Sequence, residues 1–241
     1  MACSLRVGTY NVHGCVGTDG AFSVARVAQV ICELNVHLIG LQEIHCASAS
    51  EHRELDELAT LTGLLPVNGG VRLNHRGYYG NALLTKLPVL SQARIDLTVK
   101  GREPRGALDV VLAASEGRQL RVIVTHLGLA AWERREQARR LVSALAATAS
   151  THAATILLGD LNEWLLWGRP LRWLHAALGK SAHLGTFPSH LPVLALDRIW
   201  VNPRSVLRKT TRRWTAKTRV ASDHLPLVGE LTLPEHPTKT A

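Results

Sequence analysis

Apolar and polar residues alternate along this chain with two different periods, and the switches between them mark the elements. Residues 5–10 form a short apolar run of strand character. Val24, Val27, Ala28, Ile31 and Leu34 recur at helical spacing and predict a helix over 24–34 that ends near Asn35. Residues 36–41 read as a buried strand and 51–61 as a second helix. Residues 81–85, 107–113 and 120–125 read as strands. The clearest helix spans 132–149: Glu133, Arg134, Arg135 and Glu136 cluster at its start, and Leu141, Val142 and Leu145 supply an apolar face. Residues 154–158, 194–201 and 225–233 read as further strands, and 170–178 as a helix.

Strands alternating with helices predict a layered α/β domain. The neighbouring runs 107–113 and 120–125, joined by Ser115-Glu116-Gly117, imply an antiparallel pair. A sandwich of mixed sheets is therefore expected rather than an all-parallel sheet. No linker or internal repeat interrupts the pattern, so a single domain over 1–233 is expected, with a flexible tail over 234–241.

Composition narrows the class. The 241 residues are 46% hydrophobic and 20% charged, which excludes a disordered chain. Cys3, Cys15, Cys32 and Cys46 form no C-x-x-C pair, so they read as reduced, mostly buried thiols rather than a zinc site or a disulfide framework. No apolar run approaches the roughly 18–20 residues of a membrane span, and residues 1–6 carry no signal-peptide core. A cytoplasmic protein without a transmembrane segment is expected. Lys and Arg number 28 against 19 Asp and Glu, a formal charge of +9, which favours polyanionic partners: nucleic acid, anionic lipid or phosphorylated small molecules.

Candidate chemistry lies where apolar strands stop. Residues 5–10 end at Asn11, followed by His13. Residues 38–41 run into Gln42-Glu43, 122–125 into His126, and 156–158 into Gly159-Asp160-Leu161-Asn162-Glu163. Taken singly, Asn11 and Asp160-x-Asn162 have turn composition, Glu43 suits a helix cap, and His126 suits a buried, hydrogen-bonded histidine. Repetition at several strand ends changes the weighing. Strand ends in α/β proteins converge on one rim, and unpaired buried carboxylates are costly unless a metal or partner meets them. Their oxygens are hard ligands, suited to Mg²⁺ or Mn²⁺ rather than zinc.

The ordered set Thr9-Tyr10-Asn11-Val12-His13-Gly14, Leu41-Gln42-Glu43, Tyr79-Gly80-Asn81-Ala82-Leu83-Leu84, Thr125-His126-Leu127, Gly159-Asp160-Leu161-Asn162, Leu196-Asp197-Arg198-Ile199 and Ser222-Asp223-His224-Leu225-Pro226 resembles the endonuclease/exonuclease/phosphatase superfamily, of deoxyribonuclease I-like fold. The likeness runs from about Arg6 to Val228. Thr125-His126-Leu127-Gly128-Leu129, Glu133-Arg134-Arg135-Glu136-Gln137 and Thr186-Phe187-Pro188 are similar to a compact bacterial branch of it.

The resemblance implies a four-layer α/β sandwich of two packed mixed β-sheets flanked by helices. It implies a divalent-metal-dependent hydrolase of phosphoesters: a phosphodiesterase, nuclease or phosphatase. Glu43 would be the principal metal ligand, with Asn11 alongside and Asp223 as a further carboxylate. Asp160 would orient or activate the attacking water, helped by Asn162. His224 would be the general acid/base, aligned by Asp197. His126 would bond the phosphoryl oxygens or protonate the leaving group. It departs from the apurinic-endonuclease branch, as does His13. Asn81 would lie at the substrate.

Further features bear on the substrate. Arg102 and Arg105 are candidates to reach a phosphate, or else belong to a solvated loop. The run 204–219 sets Arg208, Lys209, Arg212, Arg213 and Lys217 around Trp214, which suits a nucleic-acid strand, an anionic membrane or a solvated face. Trp164, Leu165, Leu166, Trp167, Leu171, Trp173 and Leu174 follow the Gly-Asp-x-Asn motif and suit a cleft wall, a lipid interface or a helix core. A monomer acting on a lipid or small phosphoester, with possible peripheral contact to anionic membrane, leads this reading. A DNA or RNA nuclease is the alternative, and a catalytically silent binding module on the same fold is a further one.

Overall fold

Side chains of a pleated strand face opposite sides in turn, so each buried strand serves two cores. The computed structural model describes residues 3–47, 54–74, 77–114, 117–147 and 152–233. Its elements are β1 (Cys3–Asn11), α1 (Val24–Leu34), β2 (Leu38–Ala47), α2 (Glu54–Thr62), β3 (Leu65–Asn74), β4 (Gly77–Thr85), β5 (Val89–Asp96), β6 (Gly106–Ala113), β7 (Gln119–His126), α3 (Ala131–Ala146), β8 (Ala154–Asp160), α4 (Arg169–Leu178), β9 (Asp197–Asn202), β10 (Leu207–Arg212), α5 (Ala216–Ala221) and β11 (Leu227–Leu233).

Two sheets result. One has the order β10-β11-β1-β2-β4-β3, the other β5-β6-β7-β8-β9. The pairs β1–β2 and β7–β8 are parallel and the remaining pairs antiparallel, so both sheets are mixed. Leu5, Val7, Leu38, Val122, Val124, Ile156, Leu158 and Ile199 fill the space between the sheets. Tyr10, Ile39 and Leu41 turn the other way, beneath Val27, Ile31 and Leu34 of α1 and Leu55 and Leu58 of α2. Ile123, Leu157 and Trp200 lie beneath Leu141 of α3 and Leu171 and Leu174 of α4. This is the expected four-layer sandwich. The sheets approach closely at Gly40, where a Cβ would run into Leu158 and Val124.

The hairpin of β6 and β7 forms as expected. Several boundaries move. The strand expected over 36–41 continues to Ala47 beyond a bulge, and the one expected over 194–201 starts at Asp197, Leu194 making only an isolated bridge to Phe187. The last strand begins at Leu227, because residues 222–226 form the loop that carries His224. The helix expected from 132 is described from Ala131 to Ala146, and α2 is described from Glu54. The ends expected at 51–53 and 148–149, and the tail 234–241, lie outside the described residues. Cys15 and Cys32 are not joined in a disulfide; Cys15 is buried, but Cys32, on α1, is exposed rather than buried. No helix among the described residues is long and apolar enough to cross a membrane.

Candidate active site

Strand register builds the centre of the site. His126 of β7 pairs with Asp160 of β8, and Asp160 pairs with Asp197 of β9. All three continue inward-facing columns: Val122 and Val124 precede His126, Ile156 and Leu158 precede Asp160, and Ile199 and Val201 follow Asp197. The period of two that buries those aliphatic side chains therefore aims three polar groups into one end of the sandwich. Asn11 ends the corresponding column of β1 across the gap.

Glu43 arrives by a different device. Alternation along β2 would send it toward the helices. Instead the β2–β4 register shifts between Leu41 and Ile44, and Glu43 takes a left-handed φ of 59°. A bulge re-aims a side chain in this way. His13, Cys15 and Asn162 also have positive φ, at 49°, 59° and 48°. Such backbone conformations are costly for non-glycine residues and cluster where the surroundings enforce a functional geometry.

Asp160 Oδ2 is the hub. Asn11 Nδ2 donates to it at 3.1 Å, His126 Nε2 lies 3.5 Å away and His224 Nε2 3.7 Å away. The Asn11 amide also donates to Glu43 Oε1 at 3.0 Å, while Tyr79 donates its hydroxyl proton to Glu43 Oε2 at 2.9 Å. Asn162 donates its backbone N–H to Asp160 Oδ1 at 2.8 Å and its amide to the Leu127 carbonyl at 2.9 Å. His224 Nδ1 meets Asp197 Oδ2 at 2.8 Å, and the Phe187 ring lies 4.9 Å from the imidazole. Ser222 Oγ donates to the Asn11 carbonyl at 2.7 Å and accepts the His224 N–H, tying this loop to β1.

The two histidines are driven in opposite directions. Burial opposes a charge on His224, but Asp197 and Asp160 outweigh it and raise its pKa to about 10. Burial, with the Arg105 cation beside it, pushes the His126 pKa down. Arg105 Nη1 lies 3.0 Å from His126 Nδ1 and Asn162 Nδ2 lies 3.0 Å from its Nε2, so donors hold both ring nitrogens and fix the ring with Nε2 toward Asp160. Burial also opposes ionisation of Glu43, yet His126 and the hydrogen bonds from Asn11 and Tyr79 hold its carboxyl below the ordinary range. Burial, together with the same carboxylate, pushes the Tyr79 phenol up.

Asn11, Glu43, His126, Asp160, Asn162, Asp197 and His224 thus come together. Asp223 reaches the group only at its margin: its Oδ1 lies 3.3 Å from Ser222 Oγ and 4.0 Å from His13 Nδ1. Asn81 and Arg105 line a small cavity beside His126, shared with Tyr79 and Glu103. Arg102 does not line that cavity. Its Nε pairs with Glu133 at 3.2 Å, and its guanidinium lies 5.8 Å from the centre of the Trp132 ring. Sequence reasoning missed three participants. Tyr79 stood at the head of a quoted motif without a role. Ser222 was read only as part of a motif. Phe187 was noted only for family likeness.

Asp160, Asp197 and His224 form a group able to hold a metal ion, their ligand atoms lying within 4.8 Å of one another. The oxygens of Glu43 and Asp160, spanned by the Asn11 amide, offer a second set of hard donors. Asp197 Oδ1 is buried with no hydrogen-bond partner among the described residues. Buried anionic oxygens in this density fit a hard divalent cation.

Comparison with known proteins gives a consistent picture. The model of the Endonuclease/Exonuclease/phosphatase family matches residues 8–224. The chain is 26% identical to the protein YbhP of Escherichia coli K12, described as uncharacterized, over 95% of this chain and 97% of that one. A structure described as an endonuclease/exonuclease/phosphatase from Bacteroides vulgatus superposes with a TM-score of 0.79 at 17% identity, covering 96% of this chain and all of that one. The Bacteroides thetaiotaomicron mannosyl-6-phosphatase Bt3783 superposes with a TM-score of 0.74 at 17% identity, covering 94% and 99%.

Proposed function

This chain belongs to the endonuclease/exonuclease/phosphatase family, and from that premise we propose that it hydrolyses a phosphodiester with the help of a divalent cation. The observation that carries the reading is the convergence of Asn11, His126 and His224 on Asp160 Oδ2 within 3.7 Å. In this reading Glu43, with Asn11, holds Mg²⁺ or Mn²⁺, and Asp223 contributes from the margin. The cation supplies Lewis-acid neutralisation of charge on the phosphoryl oxygens.

The remaining work falls to the chain. Asp160 Oδ2 orients the attacking water and takes up its proton, and Asn162 fixes that carboxylate through Oδ1. His126, with Nε2 turned toward Asp160, bonds a phosphoryl oxygen or protonates the leaving group. His224, aligned by Asp197 through Nδ1, holds a proton at Nε2 and passes it toward the departing oxygen as the P–O bond breaks. Arg105 and Asn81 flank the phosphate from the cavity beside His126. The reading takes residues 1–233 as one catalytic domain acting as a monomer.

A nuclease is the second reading. Arg208 and Lys209 are exposed on the edge strand β10, and Arg212 lies 5.0 Å from the Trp214 ring centre, a basic and aromatic stripe of the kind that tracks a nucleic-acid strand. The deciding experiment offers the purified protein, with Mg²⁺ or Mn²⁺ or with EDTA, bis-p-nitrophenyl phosphate, phospholipids, plasmid DNA and RNA. Hydrolysis of the soluble diester that stops in EDTA and returns with cation is expected. Full turnover in chelator would remove the metal assignment, and robust plasmid nicking abolished by Glu43→Ala would favour the nuclease.

A further inference from the structure

Two loops beside the cleft invert the usual rule of apolar residues inside. Trp164, Leu165, Leu166 and Trp167 follow Asn162 and Glu163 directly, and they are 64%, 51%, 46% and 71% exposed. Across from them, Leu129 on the loop after β7 and Trp132 in the first turn of α3 are 71% and 52% exposed. Six large apolar side chains on two adjacent segments form a patch of the kind that marks an interaction surface.

The patch is held in place rather than frayed. Arg134 of α3 pairs with Glu163 at 3.3 Å, and both side chains are buried. The same guanidinium donates to the carbonyls of Leu129 at 2.5 Å and Gly128 at 3.4 Å, while Glu163 Oε1 accepts the Leu165 N–H at 3.1 Å. One buried ion pair therefore fixes both loops with their apolar side chains outward. On the far side of the cleft, exposed Leu191 and Val193 extend the loop that seats Phe187 against His224.

Charge selects the occupant. The acidic side chains beside this patch, Glu133 in the first turn of α3 and Glu163, are buried and paired with arginines. Arg102, 5.8 Å from the Trp132 ring centre, is exposed, as are Arg169 and Arg172 on α4 directly after Trp167; Glu103, exposed beside Arg102 in sequence, is paired with Arg105. Indole rings interleaved with outward arginines match the headgroup layer of an anionic bilayer, where an aromatic body enters the acyl boundary and guanidinium groups meet lipid phosphates.

We infer that this face is a membrane-docking surface: it seats the mouth of the cleft against an anionic phospholipid surface, and the substrate class is a phosphodiester presented by lipid. The inference rests on the phosphoesterase reading for its substrate, but not for the docking.

Cosedimentation tests the docking without any need for catalysis. Wild-type protein should pellet with vesicles of phosphatidylcholine mixed with phosphatidylglycerol and stay in solution with phosphatidylcholine alone. Its tryptophan emission should shift to shorter wavelength on binding. The double variant Trp164→Ser, Trp167→Ser should lose at least about tenfold in vesicle partitioning, with unchanged turnover of bis-p-nitrophenyl phosphate. Leu129→Glu, on the other loop, should weaken binding independently. Wild-type protein that ignores anionic vesicles, or variants that pellet as wild type does, would overturn the docking. So would tryptophan-dependent binding of a single-stranded oligonucleotide with no vesicle binding. Vesicle binding without hydrolysis of the soluble diester would support docking and remove the phosphoesterase reading; the reverse result would do the opposite.

Discussion

The floor of the cleft and its border both break the rule that apolar residues go inside, in opposite senses and by different means. On the floor, carboxylates and imidazoles are buried. They tolerate burial because strand register delivers each one to a partner, as His126, Asp160 and Asp197 are delivered to one another. On the border, tryptophan and leucine are exposed, on loops that the Arg134–Glu163 pair ties down. The comparison teaches that polarity alone locates neither region. What marks the floor is a buried charge with an enforced partner, and what marks the border is an apolar side chain held where it cannot be buried.

The largest effect should come from the floor. His224→Ala should lower kcat on the best substrate by about 10²–10⁴-fold. Removing the ring also strands the Asp197 carboxylate in the interior, so His224→Asn, which keeps a donor toward it, is the better-folded companion. Asp197→Asn leaves the imidazole in place but misoriented, and should cost less. Near-wild-type turnover in both His224 variants would refute the proton-transfer role.

Next in size is the brace between the regions. Glu163→Ala leaves Arg134 buried and uncompensated, which should cost about 3–5 kcal/mol in a urea melt. Because Glu163 touches neither Asp160 nor His224 in the described contacts, stability should suffer before chemistry does: the surviving folded fraction should keep its kcat on a soluble diester. A variant that melts like wild type would show that the loops stand without the brace.

A smaller effect should appear with pH. His224 is raised in the fold from its ordinary 6.5 to about 10. Its contribution to stability is therefore complete below about pH 6.5 and is lost as pH climbs through about 10. Unfolding free energy should fall across that window with a slope of at most about 1.4 kcal/mol per pH unit from this group. Asp197→Asn removes the carboxylate hydrogen-bonded to Nδ1 and should flatten the slope. A wild-type protein equally stable at both ends of the window would contradict the charged state assigned to His224.

The sandwich was legible wherever burial imposes a period. Residues 107–113 and 120–125 announced β6 and β7, and the polar stops at Asn11, His126 and Asp160 announced the floor, because an abrupt change from aliphatic to charged residues has few structural uses. Three strands left no such trace. β5 is exposed along nearly its whole length, β10 is a basic edge strand, and β3 carries Pro66, Asn68, Gly69 and Gly70, which read as turn residues. The aim of Glu43 was hidden for another reason: a bulge is a register event between β2 and β4, and nothing in Leu41-Gln42-Glu43 records its partner. The Trp-rich segment divided in a way its composition did not foretell. Leu171, Leu174 and Leu178 enter the core, whereas residues 164–167 stay outside.

The smallest expected effect sharpens the contrast most. Hydrophobic stabilisation scales with the apolar area that folding removes from water. Trp164 and Trp167 remain 64% and 71% exposed in the fold, so folding removes little of theirs. Neither side chain makes a hydrogen bond or ring contact among the described residues that the fold would miss. Replacing both with serine should therefore shift the unfolding free energy by no more than about 0.5 kcal/mol, within the range of ordinary surface substitutions. The m-value should not change, since the area exposed on unfolding barely changes. Two of the six tryptophans of the chain would then be dispensable for folding. A loss of 2 kcal/mol or more, on the order of a core truncation, would mean that these rings are packed in solution, and the border would have to be redrawn as part of the core.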